Sequence, residues 1–442
     1  MREFLPAAAA TADNVRHAIG APSPVLALWT GLAWRSGGGR IWPLRLAMLL
    51  LAALVLAFAF LLAVELCGSL PGLPAVYALL LVAASPLFHI QSLLAHPELP
   101  ATAALLAALY LFLRERHPWG AALSALAAFS LPAAAWAPLA LGVWLAREKR
   151  YRCAIPYLVV AAASALFWIS RAAPPGPGVS AAAFHTARLP YFLFVGNGHW
   201  IALLGLIAAW REGLFQRRRW SIVLLAGAGI ALLQILPGRM QPERSLLPVL
   251  PLLYIAATAG LFVLPAARRW LAYGGLAALL LAGHFINPLL WPFPYENNVS
   301  FAEDARLRAR MARWLETHAP REGVVTAGAL AIALQDPRWG YVQRAFPVLV
   351  LPGFDQACLE VAAASGAGVF VLYSAEWDPP ANLLRRREFA WAANRFLGLR
   401  TPLDPESIEK ELGLRRAAFL REGRQWAEIY TRDGPPAPIA AP

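Results

Sequence analysis

Between residues 42 and 287 the chain is a succession of apolar runs joined by short, arginine-rich loops. A helix crossing the hydrocarbon core of a bilayer needs about 20 apolar residues, because it rises about 1.5 Å per residue through about 30 Å. The runs at 42–65, 73–91, 99–113, 154–170, 189–210, 220–236, 246–265 and 270–287 meet or approach that length. Lipid offers the backbone no hydrogen-bond partners, so runs of this kind must satisfy themselves as helices. Only 15% of the 442 residues are charged, and mean hydropathy is +0.52. Soluble domains carry about 25% charged residues. The chain therefore reads as a polytopic α-helical membrane protein.

The run at 119–146 is long for one span and short for two, and charge decides between them. The basic clusters are Arg114 with Arg116; Arg147, Lys149, Arg150 and Arg152; Arg211 with Arg217, Arg218 and Arg219; and Arg268 with Arg269. If 119–146 folds back near Pro132, all four clusters fall on one side, which the positive-inside rule makes the cytoplasm. The eight runs plus two half-runs then make ten membrane segments. The His96–Glu98 turn, the loop 171–188, the turn Pro237–Arg244 and everything after 293 share the opposite, outer face. The same loops absorb the formal charge of +13, so no nucleic-acid partner is expected. Cys67, Cys153 and Cys358 are too scattered for a disulfide framework or a metal site.

Composition divides the chain into an outer-face loop and juxtamembrane helix at 1–40, a bundle at 41–290, a soluble domain at 293–434 and a proline-rich tail at 435–442. In the soluble part a helical pattern at 300–318 precedes β-like runs at Val324–Thr326, Val348–Leu351 and Val369–Leu372. Helical patterns at 328–335, 356–365 and 382–397 separate or follow them, so a small α/β domain with a parallel sheet is expected. Leu414–Leu420 and Gln425–Tyr430 read as a hairpin turning at Glu422-Gly423. No GxGxxG or P-loop occurs, which argues against nucleotide binding and for a supporting or acceptor-docking role.

Ionisable groups left at span boundaries face water, a partner or a substrate, because hydrocarbon tolerates them poorly. The segment Leu93-Leu94-Ala95-His96-Pro97-Glu98-Leu99-Pro100 holds a histidine and a carboxylate at such a boundary. Arg45 lies near the start of a long run and Arg244 just before another. His185, Arg188, Tyr191, Asn197 and His199 crowd the outer-face segment 171–200. Each has a duller reading: a snorkelling arginine, a satisfied interfacial histidine, an aromatic belt.

Several short motifs, in order, resemble the GT-C glycosyltransferases, in particular relatives of dolichyl-phosphate-mannose protein mannosyltransferase and lipid A aminoarabinose transferase. Ala21-Pro22-Ser23-Pro24-Val25-Leu26 resembles their "HPPL"-like turn before a juxtamembrane helix, and Trp42-Pro43-Leu44-Arg45-Leu46 their "R-L" opening of the next span. Ser85-Pro86 precedes the outer turn, and His96-Pro97-Glu98-Leu99-Pro100 is similar to their "D/E-x-P" turn. Glu243-Arg244-Ser245-Leu246-Leu247-Pro248-Val249-Leu250-Pro251 resembles "R-Y-L-L-P-x-L-P" at the start of a late span.

The resemblance implies transfer of a sugar from a polyprenyl-phosphate donor to a lipid, glycan or protein acceptor on the outer face of the cell (inner) membrane. It implies an essential early carboxylate, for which Glu3 and Asp13 are the acids present before the HPPL-like turn. It also implies a further span upstream, and a longer natural chain would supply it. Glu98 takes the position of the second carboxylate, which positions groups or acts as base. Arg45 and Arg244 are candidate phosphate contacts, since a planar guanidinium fork binds two phosphate oxygens. His96, His185 and His199 are candidate substrate contacts. No zinc or iron ligand spacing is present; a divalent cation bridging carboxylate and phosphate fits the chemistry, and the metal requirement stays open. The competing readings are a catalytically silent scaffold of the same fold and a secondary transporter, although no internal repeat marks the latter and the midspan regions are almost purely Ala, Leu and Val.

Overall fold

The computed structural model describes residues 23–38, 40–68, 73–171, 199–235, 243–285, 299–351, 354, 357–374, 403, 405–423 and 425–432. The chain forms two compact units, with the boundary between residues 288 and 289.

The first unit is a helical bundle. Its helices are α1 (Pro24–Ser36), α2 (Ile41–Cys67), α3 (Leu73–Ala84), α4 (Pro86–Leu93), α5 (Glu98–Leu113), α6 (His117–Ser130) and α7 (Trp136–Arg147), then α8 (Tyr151–Ile169), α9 (His199–Arg211), α10 (Arg218–Ile235), α11 (Leu250–Leu261) and α12 (Ala266–Ala282). Among the described residues, Trp42–Cys67 and Tyr151–Ile169 are long and apolar enough to cross a membrane alone. The run at 73–91, expected as one span, is instead two helices meeting at a 62° bend. Pro86 is the cause: it lacks the amide hydrogen that would continue α3, yet its fixed φ suits the first position of α4.

The run at 119–146 does fold back. Gly120 on α6 lies against the Tyr157 hydroxyl, while Gly142 on α7 lies against Leu158. One straight helix would hold those two glycines about 33 Å apart, whereas here both meet adjacent residues of α8. The turn is made by Leu131 in an extended conformation and a 3₁₀ turn at Pro132–Ala135.

The arginine clusters gather at one end of this bundle. Glu65, near the end of α2, pairs with Arg114 after α5 at 3.5 Å and with Arg219 on α10 at 2.8 Å. Arg150 pairs with Glu115 at 3.3 Å. Arg218 donates to both oxygens of Glu148, at 2.7 and 2.6 Å, and thereby holds the Glu148 carboxyl below its usual range. A depressed carboxyl contributes stability above the unfolded carboxylate value (about 4.3) and loses it as pH falls through the lower folded value. Glu148→Gln is therefore expected to lower thermal stability in detergent at neutral pH, by no more than about 1 kcal/mol for so exposed a partner. The gap between variant and wild type should close below about pH 4; a gap that is constant with pH would exclude this ion pair as its source.

The second unit holds a five-stranded sheet in the order β2-β1-β3-β5-β4. Helix α13 (Ser300–His318) leads into β1 (Val324–Ala327), α14 (Gly328–Gln335), β2 (Val348–Leu351), α15 (Ala357–Ser365) and β3 (Val369–Tyr373). Helix α16 (Pro405–Leu412), which sequence patterning did not reveal, precedes the hairpin β4 (Arg415–Glu422) and β5 (Gln425–Thr431). Strands β1, β2 and β3 are parallel, and the hairpin joins antiparallel through β5 on β3, so the sheet is mixed rather than purely parallel. Val324, Val325, Val369, Phe370, Val371 and Leu372 are fully buried, as continuous apolar strands covered on both faces should be. Leu307, Met311 and Leu315 of α13 cover the sheet as one apolar stripe at helical spacing. The segment 382–397, expected to be helical, lies outside the described residues.

Candidate active site at the end of the bundle

Helix α5 places Glu98 in its first turn and Leu113 in its last, so Glu98 lies about 24 Å of helix away from the arginine end. Most of the buried polar side chains of the bundle collect at this Glu98 end: Ser85, Gln91, His96, Glu98, Thr102, His199, Gln234 and Ser245. Burying such groups is costly unless each finds a partner.

The partners come from different helices. Arg244 donates from Nε to Glu98 Oε1 at 3.2 Å, with the Glu98 side chain 5% exposed and that of Arg244 27% exposed. Arg244 sits in a 3₁₀ turn, Glu243–Leu246, just before α11, and the buried Gln234 of α10 donates to the Ser245 carbonyl at 3.3 Å. This ties the end of α10 to the loop that carries Arg244. His96 Nδ1 lies 2.7 Å from the Gln91 side-chain carbonyl oxygen, which fixes the ring across the turn between α4 and α5. Thr102 donates to the Glu98 carbonyl at 2.6 Å and so holds the first turn of α5. His199 Nε2 and the Tyr254 hydroxyl of α11 are 2.8 Å apart, and Tyr254 also shares a hydrogen bond with Ser85 at the α3–α4 break.

The structure thus brings Glu98 and Arg244 into direct contact and seats His96 and His199, both buried, at the same end of the bundle. Arg45 stays apart: it lies exposed on α2, and no ion pair joins it to a described residue. Glu3, Asp13 and His185 lie outside the described residues, as do Arg188, Tyr191 and Asn197. Sequence reasoning missed Gln91, Tyr254 and Gln234. Their signal was available, since each is a polar group inside an otherwise apolar run and such groups rarely stand there without a task. An arginine held by a buried carboxylate beside two buried histidines can bind an anion that arrives at the bundle end.

No family model matches the chain, and no curated protein does. Two solved structures of ArnT from Cupriavidus metallidurans match it, one in the apo state and one bound to undecaprenyl phosphate. Each has 12% sequence identity and a TM-score of 0.50; the alignments span 94% and 92% of this chain and 89% and 87% of theirs. Agreement over nearly the whole of both chains, at an identity too low to carry function, is agreement of fold. The chain shares the fold of these ArnT structures.

Proposed function

We propose that this protein is a membrane glycosyltransferase that moves a sugar from a polyprenyl-phosphate donor to an acceptor on the extracytoplasmic face. The observation that carries the reading is the Glu98–Arg244 pair, a cation held by a buried carboxylate at the end of the bundle opposite the arginine clusters. The shared fold with a protein solved with undecaprenyl phosphate bound supports a lipid phosphate as the anion. With the arginine clusters in the cytoplasm, the site and the 293–434 domain lie outside it, and the cell inner membrane is the membrane that fits.

In the proposed step an acceptor hydroxyl attacks the anomeric carbon. A C–O bond forms there, the bond from that carbon to the phosphate oxygen breaks, and its electron pair leaves with the polyprenyl phosphate. The hydroxyl proton passes to a carboxylate base, and one displacement inverts the anomeric configuration. Arg244 stabilises the charge that grows on the departing phosphate. Glu98 holds Arg244 in place; a carboxylate already paired with a guanidinium is a weakened base, so the base role falls to Glu3 or Asp13. His96 and His199 line the donor site, and a divalent cation is not required by these roles. The second unit docks or supports the acceptor.

Glu98→Gln tests the assignment. With a polyprenyl-phosphate-linked sugar as donor, released polyprenyl phosphate is expected to fall roughly 100-fold while the variant remains monodisperse. Glu98→Asp should recover part of the rate. Full activity in Glu98→Gln would remove Glu98 from the site, and no turnover by the wild-type chain with any lipid-linked sugar would favour a silent scaffold.

A further inference from the structure

Two histidines outside the site just described face each other across the bundle end. His89 stands exposed on α4, the short helix that runs into the His96–Glu98 turn, and His284 follows the end of α12. Their ring centroids are 5.4 Å apart with an interplanar angle of 86°. His284 Nδ1 lies 3.2 Å from the Leu280 carbonyl and 3.3 Å from that of Leu281. A carbonyl only accepts, so Nδ1 carries the hydrogen and Nε2 keeps its lone pair. Metal-binding histidines commonly have one ring nitrogen fixed in this way by a backbone carbonyl, which leaves the other as the ligand.

We propose that His89 and His284 form a binding site for a divalent first-row transition metal of the zinc class, which bridges α4 to the end of α12. The ring separation is compatible with a shared ion. A zinc–nitrogen bond of about 2.0–2.1 Å, plus about 1.2 Å from nitrogen to ring centre, puts each centroid about 3.2 Å from the ion. At a tetrahedral angle two such rings have centroids about 5.2 Å apart, close to the observed 5.4 Å. Imidazole suits zinc, copper and nickel, and not magnesium or calcium, which take oxygen ligands. Among the described residues no three histidine, cysteine or acidic side chains gather at one point, so His89 and His284 are the two protein ligands assigned to the site. The bridge would hold α4, and with it the turn that carries Glu98, against α12. It does not depend on the glycosyltransferase reading.

The test is titration of the full chain in detergent with zinc chloride, followed by calorimetry, and with cobalt chloride, followed by visible absorption. Wild type is expected to bind one zinc ion and to give the intense visible bands of a low-coordinate cobalt site. His89→Gln and His284→Gln should each weaken binding roughly tenfold or more, while His318→Gln in the second unit should bind as wild type does. No binding by wild type, or unchanged affinity in both variants, overturns the proposal. Should either variant aggregate, mass spectrometry of wild type after carbethoxylation decides. Zinc protection of both His89 and His284 supports the site, and equal modification with and without zinc overturns it.

Discussion

Replacing Arg244 with alanine is expected to lower glycosyl transfer by roughly 100- to 1,000-fold, the cost of removing one donor aimed at developing charge. Loss of the guanidinium also removes the Arg244 cation from beside the Glu98 carboxylate, whose side chain is only 5% exposed. A buried charge left without its partner is strongly destabilising, by up to about 3–5 kcal/mol in a fully buried pair. Arg244 itself is 27% exposed, so the loss here should be smaller and the fold should survive. Arg244→Lys separates the two effects. Lysine keeps the positive charge beside Glu98 but presents a point charge instead of a planar fork. Stability should return toward wild type while transfer stays well below it. The measurements are donor turnover and thermal unfolding on the same detergent preparations. Transfer at the wild-type rate in Arg244→Ala would show that Arg244 does not contact the phosphate.

The largest effect on stability is expected at Gly260, where α9 and α11 cross. A β-carbon at Gly260 would collide with the carbonyl oxygen of Gly205 and lie 2.7 Å from its carbonyl carbon and 2.9 Å from the Ala209 nitrogen. All three are backbone atoms, which cannot rotate away as a flexible side chain could. Gly205 is also tight against the Ala257 carbonyl, though less so. Small residues let helix backbones approach this closely in a membrane, where packing rather than hydrophobicity holds helices together. Gly260→Val should therefore cost more than about 3 kcal/mol, and Gly260→Ala an intermediate amount. Gly274 on α12 has open space around it, so Gly274→Ala should be near neutral and serves as the control. His199 and Tyr254 lie on the same two helices and would be pulled apart with them. Loss of turnover in Gly260→Ala with little loss of stability would place the effect on the site rather than on the fold.

Several elements could be read from residues alone because a local rule set them. Pro24 at the first position of α1 marks a helix start by its missing donor and fixed φ; the same signal at Pro86 was overridden by the unbroken apolar run at 73–91. The fold-back at 119–146 followed from where the arginines lie, since a single crossing would have split their clusters. The β-branched runs at Val324, Val348 and Val369 open the three parallel strands, and Gly423, with φ of 57°, turns the hairpin. The short helix α16 escaped notice because its eight residues fall short of the 11–18-residue window over which a helical period is counted.

At the site the division is sharper. That Glu98 and His96 stand at a span boundary, and that Arg244 precedes another span, is written in the chain, because lipid excludes ionisable groups from anywhere else. That Glu98 and Arg244 touch is not, since 146 residues separate them and a helix surface offers each of them many directions. The meeting is decided by how the helices pack: the break at Pro86 that frees α4 from the line of α3, the Gln234–Ser245 tie, and the glycine crossing that seats α11 against α9. Local chemistry says which residues must leave the lipid, but only long-range packing says which of them meet. The His89–His284 pair, invisible to any spacing rule, exists for the same reason.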